Sequence, residues 1–440
     1  FTSETTAAAG DLEQLYIGTG KSLQGARFFE TFADKASESN SDAAGEHLFT
    51  AARLYRRAGY FREALRCMNS ILAGAPDKIT DRLLWYWFDL LVKTDASSAS
   101  GKLTFLAETW VDPDYFSDVL DRLCTALVRG RKWELISDVS ERLQLSGPQD
   151  AFDRFRYISS RASGLGWIDF KAADAPYSSL YYRIITGGRL KELERPDRSG
   201  FGSSSFNEQE LFIKGFIDFE LYDHILPEVR LFREKLSEAF LIFAAGRLSE
   251  KGFYLDSIRL MYQYKGQLSA EGLMSLYPPV YRKEIGAAAD ANGIPRQLLS
   301  AIVWKESGFE SDIVSRAGAV GLSQLMPPTA DDVAARMGTS AGDLTAPEHN
   351  LMLGSWYLNW LNGYIGSTAE AVLAYNGGPG RVRGWRREYP DFPEDLFYEA
   401  VPIPETHDYG KKVLTAAVVY GMLYYDIEPA QTLKTIFQEI

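Results

Sequence analysis

The chain has 440 residues, two to three times a typical domain, so several packed units are expected. Its 46% hydrophobic and 24% charged residues describe an ordinary globular protein, and a formal net charge of −12 argues against nucleic acid as a partner. It leaves room for an acidic polymer held in a local groove.

The chain opens on Phe1, then a small and polar stretch from Thr2 to Gly10 that lacks the charged and apolar segments of a signal peptide. The expectation is a mature or trimmed chain whose targeting segment is missing. No apolar run approaches the ~18 residues of a membrane span. The longest candidates, Ala239–Ala245 and Thr415–Tyr425, read as buried helices.

Helical patterning fills the first ~280 residues. The segment Ala52-Ala-Arg-Leu-Tyr-Arg-Arg-Ala58-Gly59-Tyr-Phe61-Arg-Glu-Ala64-Leu65, running on to Ile71 and Pro76, looks like a tetratricopeptide-type helical hairpin. Ala58, Gly59 and Ala64 are expected to let two helices approach, with Tyr55, Phe61 and Leu65 filling the gap. Leu127 to Ile136, around Gly130 and Trp133, repeats the order of helix, glycine, aromatic and helix. So does Leu248 to Ile258, around Gly252 and Phe253. The irregular spacing predicts a degenerate superhelical solenoid, with a generic helical bundle as the alternative. Cys67 and Cys124 fall in helical patterns and read as small core residues. They form neither a disulfide framework nor a metal site, and whether they pair with each other stays open.

Gly187 to Phe206, rich in Gly, Ser and charge, reads as a surface loop. Pro278 and Pro279 cannot continue a helix, so the solenoid is expected to span residues 1–277 and a second domain residues 278–440.

In that second domain, Gly293-Ile-Pro295 opens a helix with the apolar stripe Leu298, Leu299, Ile302 and Val303. At 100° per residue Glu306 falls on this stripe, where burial raises a carboxyl pKa, as a proton donor to a glycosidic oxygen requires. A structural glutamate fits the position equally well. Gly318 and Gly321 mark a tight turn. The run Ala374-Tyr375-Asn376-Gly-Gly-Pro-Gly380 puts Tyr375 and Asn376 at a helix end, which either a ligand site or a helix cap explains.

Taken together, Glu306-Ser307, then Gly321-Leu-Ser-Gln324-Leu-Met326-Pro327-x-Thr329-Ala330, then Ala374-Tyr375-Asn376-Gly-Gly-Pro-Gly380-Arg-Val382, then Ile403-Pro-Glu405-Thr406-x-x-Tyr409 closely resemble the soluble lytic transglycosylases. The four blocks stand in that family's order and at its spacing. The resemblance implies an all-α fold: an N-terminal helical superhelix, similar to the family's ring-forming domain, plus a C-terminal lysozyme-like, α-rich catalytic domain. It implies that Glu306 is the catalytic acid, that Ser315 and Gln324 line sugar subsites, and that Met326 is a wall of the groove. Tyr375 is then the tyrosine hydrogen-bonded near the catalytic carboxylate, Asn376 a further substrate contact, and Glu405 a glutamate facing the cleft. Ser323 departs from the family, which usually has Met there, and is expected to open or wet the local packing.

Glycosidases ordinarily use two carboxylates. Glu310 and Asp312 read as solvated turn residues, and the resemblance gives Glu405 a binding role. The family's chemistry uses one carboxylate. The substrate acetamide assists departure, the sugar's C6 hydroxyl attacks C1, and a 1,6-anhydromuramoyl end results, with Glu306 acting first as acid and then as base. No metal or organic cofactor is implied. The implied partners are peptidoglycan glycan strands and, through the solenoid, proteins of wall synthesis or remodelling. The expected setting is the periplasm or outer-membrane-associated envelope of a bacterium, with the protein a monomer. Arg381, Arg383, Arg386 and Arg387 read as a solvated helix face or a carboxylate-binding patch, and Trp356, Trp360 and Tyr364 as core or a sugar platform. A lysozyme-like hydrolase and a non-catalytic peptidoglycan-binding scaffold are the competing readings.

Overall fold

A computed structural model describes residues 3–37, 41–74, 79–171, 177–188, 190 and 206–438. Pro76 and most of the expected loop between Gly187 and Phe206 lie outside the described residues. The chain divides into two compact units, Phe1–Ser179 and Leu180–Ile440, and the domain boundary expected near Tyr277 falls inside the second.

Among the described residues the only extended pairing is a pair of isolated β-bridges, Val314 with Val320 and Val320 with Leu325; the rest is helix and turn. The first unit holds α1 (Ser3–Gly18), α2 (Ser22–Ser37), α3 (Ser41–Arg57), α4 (Phe61–Gly74) and α5 (Asp81–Thr94). The short α6 (Ala96–Gly101) and α7 (Leu103–Thr109) follow, then α8 (Ser117–Arg129), α9 (Trp133–Ser146) and α10 (Gln149–Gly164). Successive helices pack on their sequence neighbours, as in a solenoid. In α4 the buried residues are Ala64, Cys67, Met68 and Ile71, a stripe at helical spacing that one neighbour on each side can cover.

Three helix-to-helix turns share one hydrogen-bond scheme. The amide of Tyr60 donates to the Tyr55 carbonyl (2.9 Å), that of Lys132 to Leu127 (2.9 Å), and that of Phe253 to Leu248 (3.0 Å). Each turn passes through one left-handed residue, which lets the chain satisfy the last helical carbonyls. That residue is Gly59 (φ 84°) in the first and Gly252 (φ 86°) in the third, but Arg131 (φ 55°) in the second, one position past Gly130. A Cβ on Gly59 would meet nothing within 4 Å, so this glycine serves the turn and not the helix approach expected of it. Ala64 is buried as a close-packing residue should be, and Ala51 and Ala52 join it, each at most 1% exposed.

The second unit begins with α11 (Leu180–Ile185), α12 (Glu208–Asp218), α13 (Ile225–Phe232), α14 (Glu238–Glu250), α15 (Tyr254–Met261) and α16 (Ala270–Leu276). It continues through α17 (Arg282–Asn292), α18 (Arg296–Ser307), α19 (Pro327–Met337), α20 (Pro347–Ile365) and α21 (Thr368–Gly377). It closes with α22 (Pro379–Glu388), α23 (Glu394–Glu399), α24 (Pro404–Tyr424) and α25 (Pro429–Ile436). Helix α18 is the axis of this core. Every residue from Gln297 to Trp304 is buried, and α24 runs along it. The expected apolar stripe is therefore the whole circumference, as suits a helix enclosed on all sides.

Candidate active site

Glu306 is the next-to-last residue of α18. The helix stops at Gly308, whose left-handed backbone (φ 57°) lets its amide donate to the Trp304 carbonyl. A Cβ here would press on Leu255 of α15, so this position also needs glycine for space. Both the burial and the negative end of the helix dipole work against a carboxylate at Glu306. Burial is the largest influence and pushes its carboxyl up to about 7. A hydrogen bond from Tyr409 and the charge of Lys305 pull the other way, and the charge of Glu405 adds a little to the rise.

Tyr409 closes the fourth motif block. It lies in the second turn of α24, 2% exposed, and its hydroxyl donates to Glu306 Oε1 at 2.8 Å. Burial and the adjacent carboxyl hold this phenol well above its ordinary pKa, so it stays a donor. Its spacing from Glu405, four residues on the same helix, was the available signal. For Tyr375 the structure departs from the expectation. Its ring is close enough to feel the Glu306 charge, but its hydroxyl donates to the Ser323 carbonyl at 2.9 Å. The tyrosine bonded to the carboxylate is Tyr409.

The glycine-rich loop between α18 and α19 is held by a residue that sequence reasoning missed. Asn350 of α20, fully buried, donates from Nδ2 to the carbonyls of Val320 (3.0 Å) and Leu344 (2.9 Å). Its Oδ1 accepts from the Ser323 amide at 2.7 Å. A side chain on Gly321 would collide with Asn350 and the Leu344 carbonyl, which is why the loop needs glycine there. Ser323 is 0% exposed, and a Cβ on Gly354 would run into its side chain. The small serine thus lets α20 pass close to the loop. The packing is neither opened nor wetted, contrary to expectation.

Gln324 follows in a left-handed conformation (φ 45°), its Nε2 donating to the carbonyls of Gly321 (2.9 Å) and Ile313 (3.2 Å). With both amide protons committed to backbone, its carbonyl oxygen is the atom left for a ligand's hydroxyl or N–H. Ser315 is tied into the loop, its hydroxyl accepting from the Ala319 amide at 3.0 Å. Met326 caps α19 and is 39% exposed. Asn376 Oδ1 accepts from the Thr406 hydroxyl at 2.8 Å, which fixes the end of α21 against the start of α24. Glu405 is exposed in the first turn of α24. Direct bonds or charge thus join Tyr409, Tyr375 and Glu405 to Glu306, and Tyr375 in turn joins the loop that carries Gln324.

Three further expectations change. Glu310 is not a solvated turn residue: it is half-buried and accepts from the Leu255 amide at the start of α15 (3.1 Å). Arg386 leaves the solvated basic face to bond Glu370 (2.7 Å) and the Phe392 carbonyl (2.7 Å). The aromatic row of α20 is Tyr357, Trp360 and Tyr364, stacked on each other at 5.9 and 5.1 Å, while Trp356 packs on the Leu325–Leu353 core. Guanidinium groups lie over two of these rings, Arg336 over Trp360 (5.5 Å) and Arg383 over Tyr364 (4.8 Å).

Residues 283–397 match the family described as the Transglycosylase SLT domain. An endo-type membrane-bound lytic murein transglycosylase A from Klebsiella pneumoniae is 34% identical over 154 residues, covering 76% of that protein and 29% of this chain. The chain belongs to the soluble lytic transglycosylase family. It is also 32% identical over 150 residues to the soluble lytic murein transglycosylase of Escherichia coli K12, and that alignment spans 33% of this chain but 23% of its relative. Among solved structures, an inactive mutant of the lytic transglycosylase Slt from Pseudomonas aeruginosa has a TM-score of 0.58 at 20% identity, covering 99% of this chain and 85% of that one. The 70 kDa soluble lytic transglycosylase of E. coli has a TM-score of 0.53 at 18% identity, with 97% and 82% covered. At such identities the likeness establishes the fold: all-α, with a helical solenoid and a lysozyme-like domain. The family match ends before Glu405 and Tyr409, so the lytic transglycosylase motif that carries them stands outside it.

Proposed function

We propose that this chain cleaves the β-1,4 bond between N-acetylmuramic acid and N-acetylglucosamine in peptidoglycan, leaving a 1,6-anhydromuramoyl end. The observation that carries this reading is Glu306, whose carboxyl is pushed up to about 7 by burial and whose hydrogen-bond partner is a phenol, with no ion pair to it among the described residues. Near neutral pH such a group gives a proton to the glycosidic oxygen and takes one back with comparable ease. In the first step Glu306 protonates the leaving oxygen while the substrate acetamide supports C1. In the second its carboxylate removes the proton of the C6 hydroxyl as that oxygen bonds to C1. No water enters, and an intramolecular attack has the advantage of proximity.

Ser315, Gln324, Tyr375, Asn376 and Glu405 are proposed to hold the sugars, with Met326 a wall of the groove. The one carboxylate whose charge acts on Glu306 among the described residues is that of Glu405, and it is the weakest of the four influences. This supports a single-carboxylate route over a paired nucleophile. We assign the machinery to residues 278–440 and the solenoid, a docking surface for wall-remodelling proteins, to residues 1–277. The proposed setting is a bacterial cell envelope, in keeping with the murein named for the relatives. Among the described residues no helix is long and apolar enough to cross a membrane.

Digestion of purified sacculi, followed by mass spectrometry, tests bond and chemistry together. The expected products are one water lighter than reducing-end fragments, and Glu306→Gln is expected to lower the rate by about 10³-fold. Products with reducing ends would make the protein a hydrolase. Unchanged digestion by Glu306→Gln would remove the catalytic assignment.

A further inference from the structure

The first unit contains a pocket of about 520 Å³ in which the proposed cleavage has no part. Four cations line it: Arg53, Arg56 and Arg57 from α3, and Lys93 from α5. Ile17, Phe61 and Tyr86 give it an apolar wall, and Glu13 of α1 is its one lining carboxylate. The chain as a whole has a net charge of −12, so this concentration of positive charge runs against the composition.

The charges around the pocket do not balance. Asp89, 0% exposed, accepts from Arg56 Nε (2.8 Å) and Lys93 Nζ (2.6 Å) and pairs with Arg122 (3.2 Å) as well. Asp89 thus serves the two lining cations Arg56 and Lys93 together with Arg122, which also pairs with Asp118 (3.2 Å). Glu13 accepts from the Arg53 guanidinium, but Arg53 Nε is buried and meets no acceptor among the described residues. A buried donor without a partner is uncommon and costly. Arg57, exposed at the end of α3, pairs with no carboxylate among the described residues. Burial also holds the Lys93 ammonium below its ordinary pKa despite Asp89, and raises that of the Glu13 carboxyl.

We infer that this pocket binds the carboxylate end of a short apolar peptide, held by the guanidinium groups of Arg53 and Arg57 with its last side chain against Ile17, Phe61 and Tyr86. A planar guanidinium fork matches a planar carboxylate two bonds to two. Glu13 takes only part of that fork: its carboxylate accepts from Arg53 Nη2, while Arg53 Nε meets no acceptor among the described residues. The flat apolar wall beside the charges suits a ligand with a hydrophobic body, which inorganic phosphate lacks. The volume lies in the range of small-ligand sites, roughly 300–1,000 Å³.

Titration calorimetry on the full chain at low salt tests this with three probes: N-acetyl-Ala-Leu, its C-terminal amide, and inorganic phosphate. The acid is expected to bind, the amide about tenfold more weakly, as is usual for a lost charge-assisted bond, and phosphate more weakly than the acid. Arg57→Gln, at an exposed position, is expected to weaken the acid about tenfold. Glu13→Gln is expected to tighten it severalfold, because a resident competitor is gone; a purely structural Glu13 would give no gain. Equal binding of acid and amide, phosphate matching the acid, or no effect of Arg57→Gln in a chain with a normal thermal melt would each overturn the assignment.

Discussion

Each unit buries a carboxylate, and the two are treated in opposite ways. Asp89 of the first unit is fully enclosed and surrounded by Arg56, Lys93 and Arg122. Glu306 of the second is half-buried at the wrong end of a helix dipole, with a neutral phenol as its bonded partner. A buried charge that finds cations holds structure together; one that finds only a hydroxyl is left with a proton it can exchange. The same physical cost is compensated at Asp89, as it is at Glu370 of the second unit by Arg386, and kept available at Glu306.

This contrast fixes the sign of two stability changes. Asp89→Asn takes the buried charge from Arg56 and Lys93 and leaves Arg122 only Asp118, and the unfolding free energy is expected to fall by about 3 kcal/mol in urea melts at pH 7. For Glu306 the sign reverses. Its folded pKa, about 7, lies above the ordinary 4.5, so stability is fullest below pH 4.5 and is lost as pH rises through 7. Glu306→Gln is therefore expected to be more stable than the parent at pH 8, by about 2–3 kcal/mol, and equal to it near pH 4. Destabilisation at pH 8 would mean that Glu306, like Asp89, is structural.

Smaller effects sharpen the picture of Glu306. Tyr409→Phe removes a bond that favours the carboxylate. The falling alkaline limb of the pH–rate profile should move to higher pH, with the maximal rate down about tenfold. Glu405→Gln removes the weakest influence, a repulsion, so the limb should move slightly to lower pH. A shift in the same direction for both would show that the two groups do not act through Glu306.

Much of this was legible in the sequence, and the failures have definite causes. Helical periodicity identified the helices, because it depends on local spacing, and the resemblance carried by the four motif blocks implied the all-α fold and the grouping of Glu306, Gln324 and Tyr375. Asn350 gave no local signal: its partners Val320 and Ser323 lie about thirty residues earlier, and a lone Asn at a helix start reads as ordinary turn chemistry. The left-handed turn residues carry no such sequence signal at Arg131 and Glu220 (φ 58°), and at Gly59 the glycine read as a helix contact serves the turn instead. Ser323 was misread because its effect depends on Gly354, a glycine on another helix. Substituting a small residue opens a packed site only if its neighbour stays large.

The most direct measurement is the titration of Glu306 itself. Infrared difference spectra of the parent minus Glu306→Gln, with glutamate carboxyls isotopically labelled, isolate this one group across pH 4 to 9. A protonated-carboxyl band that disappears with a midpoint near 7 is the expected result. A midpoint below about 5, the range of ordinary glutamates, would contradict it and leave Glu306 without the proton that the proposed cleavage requires.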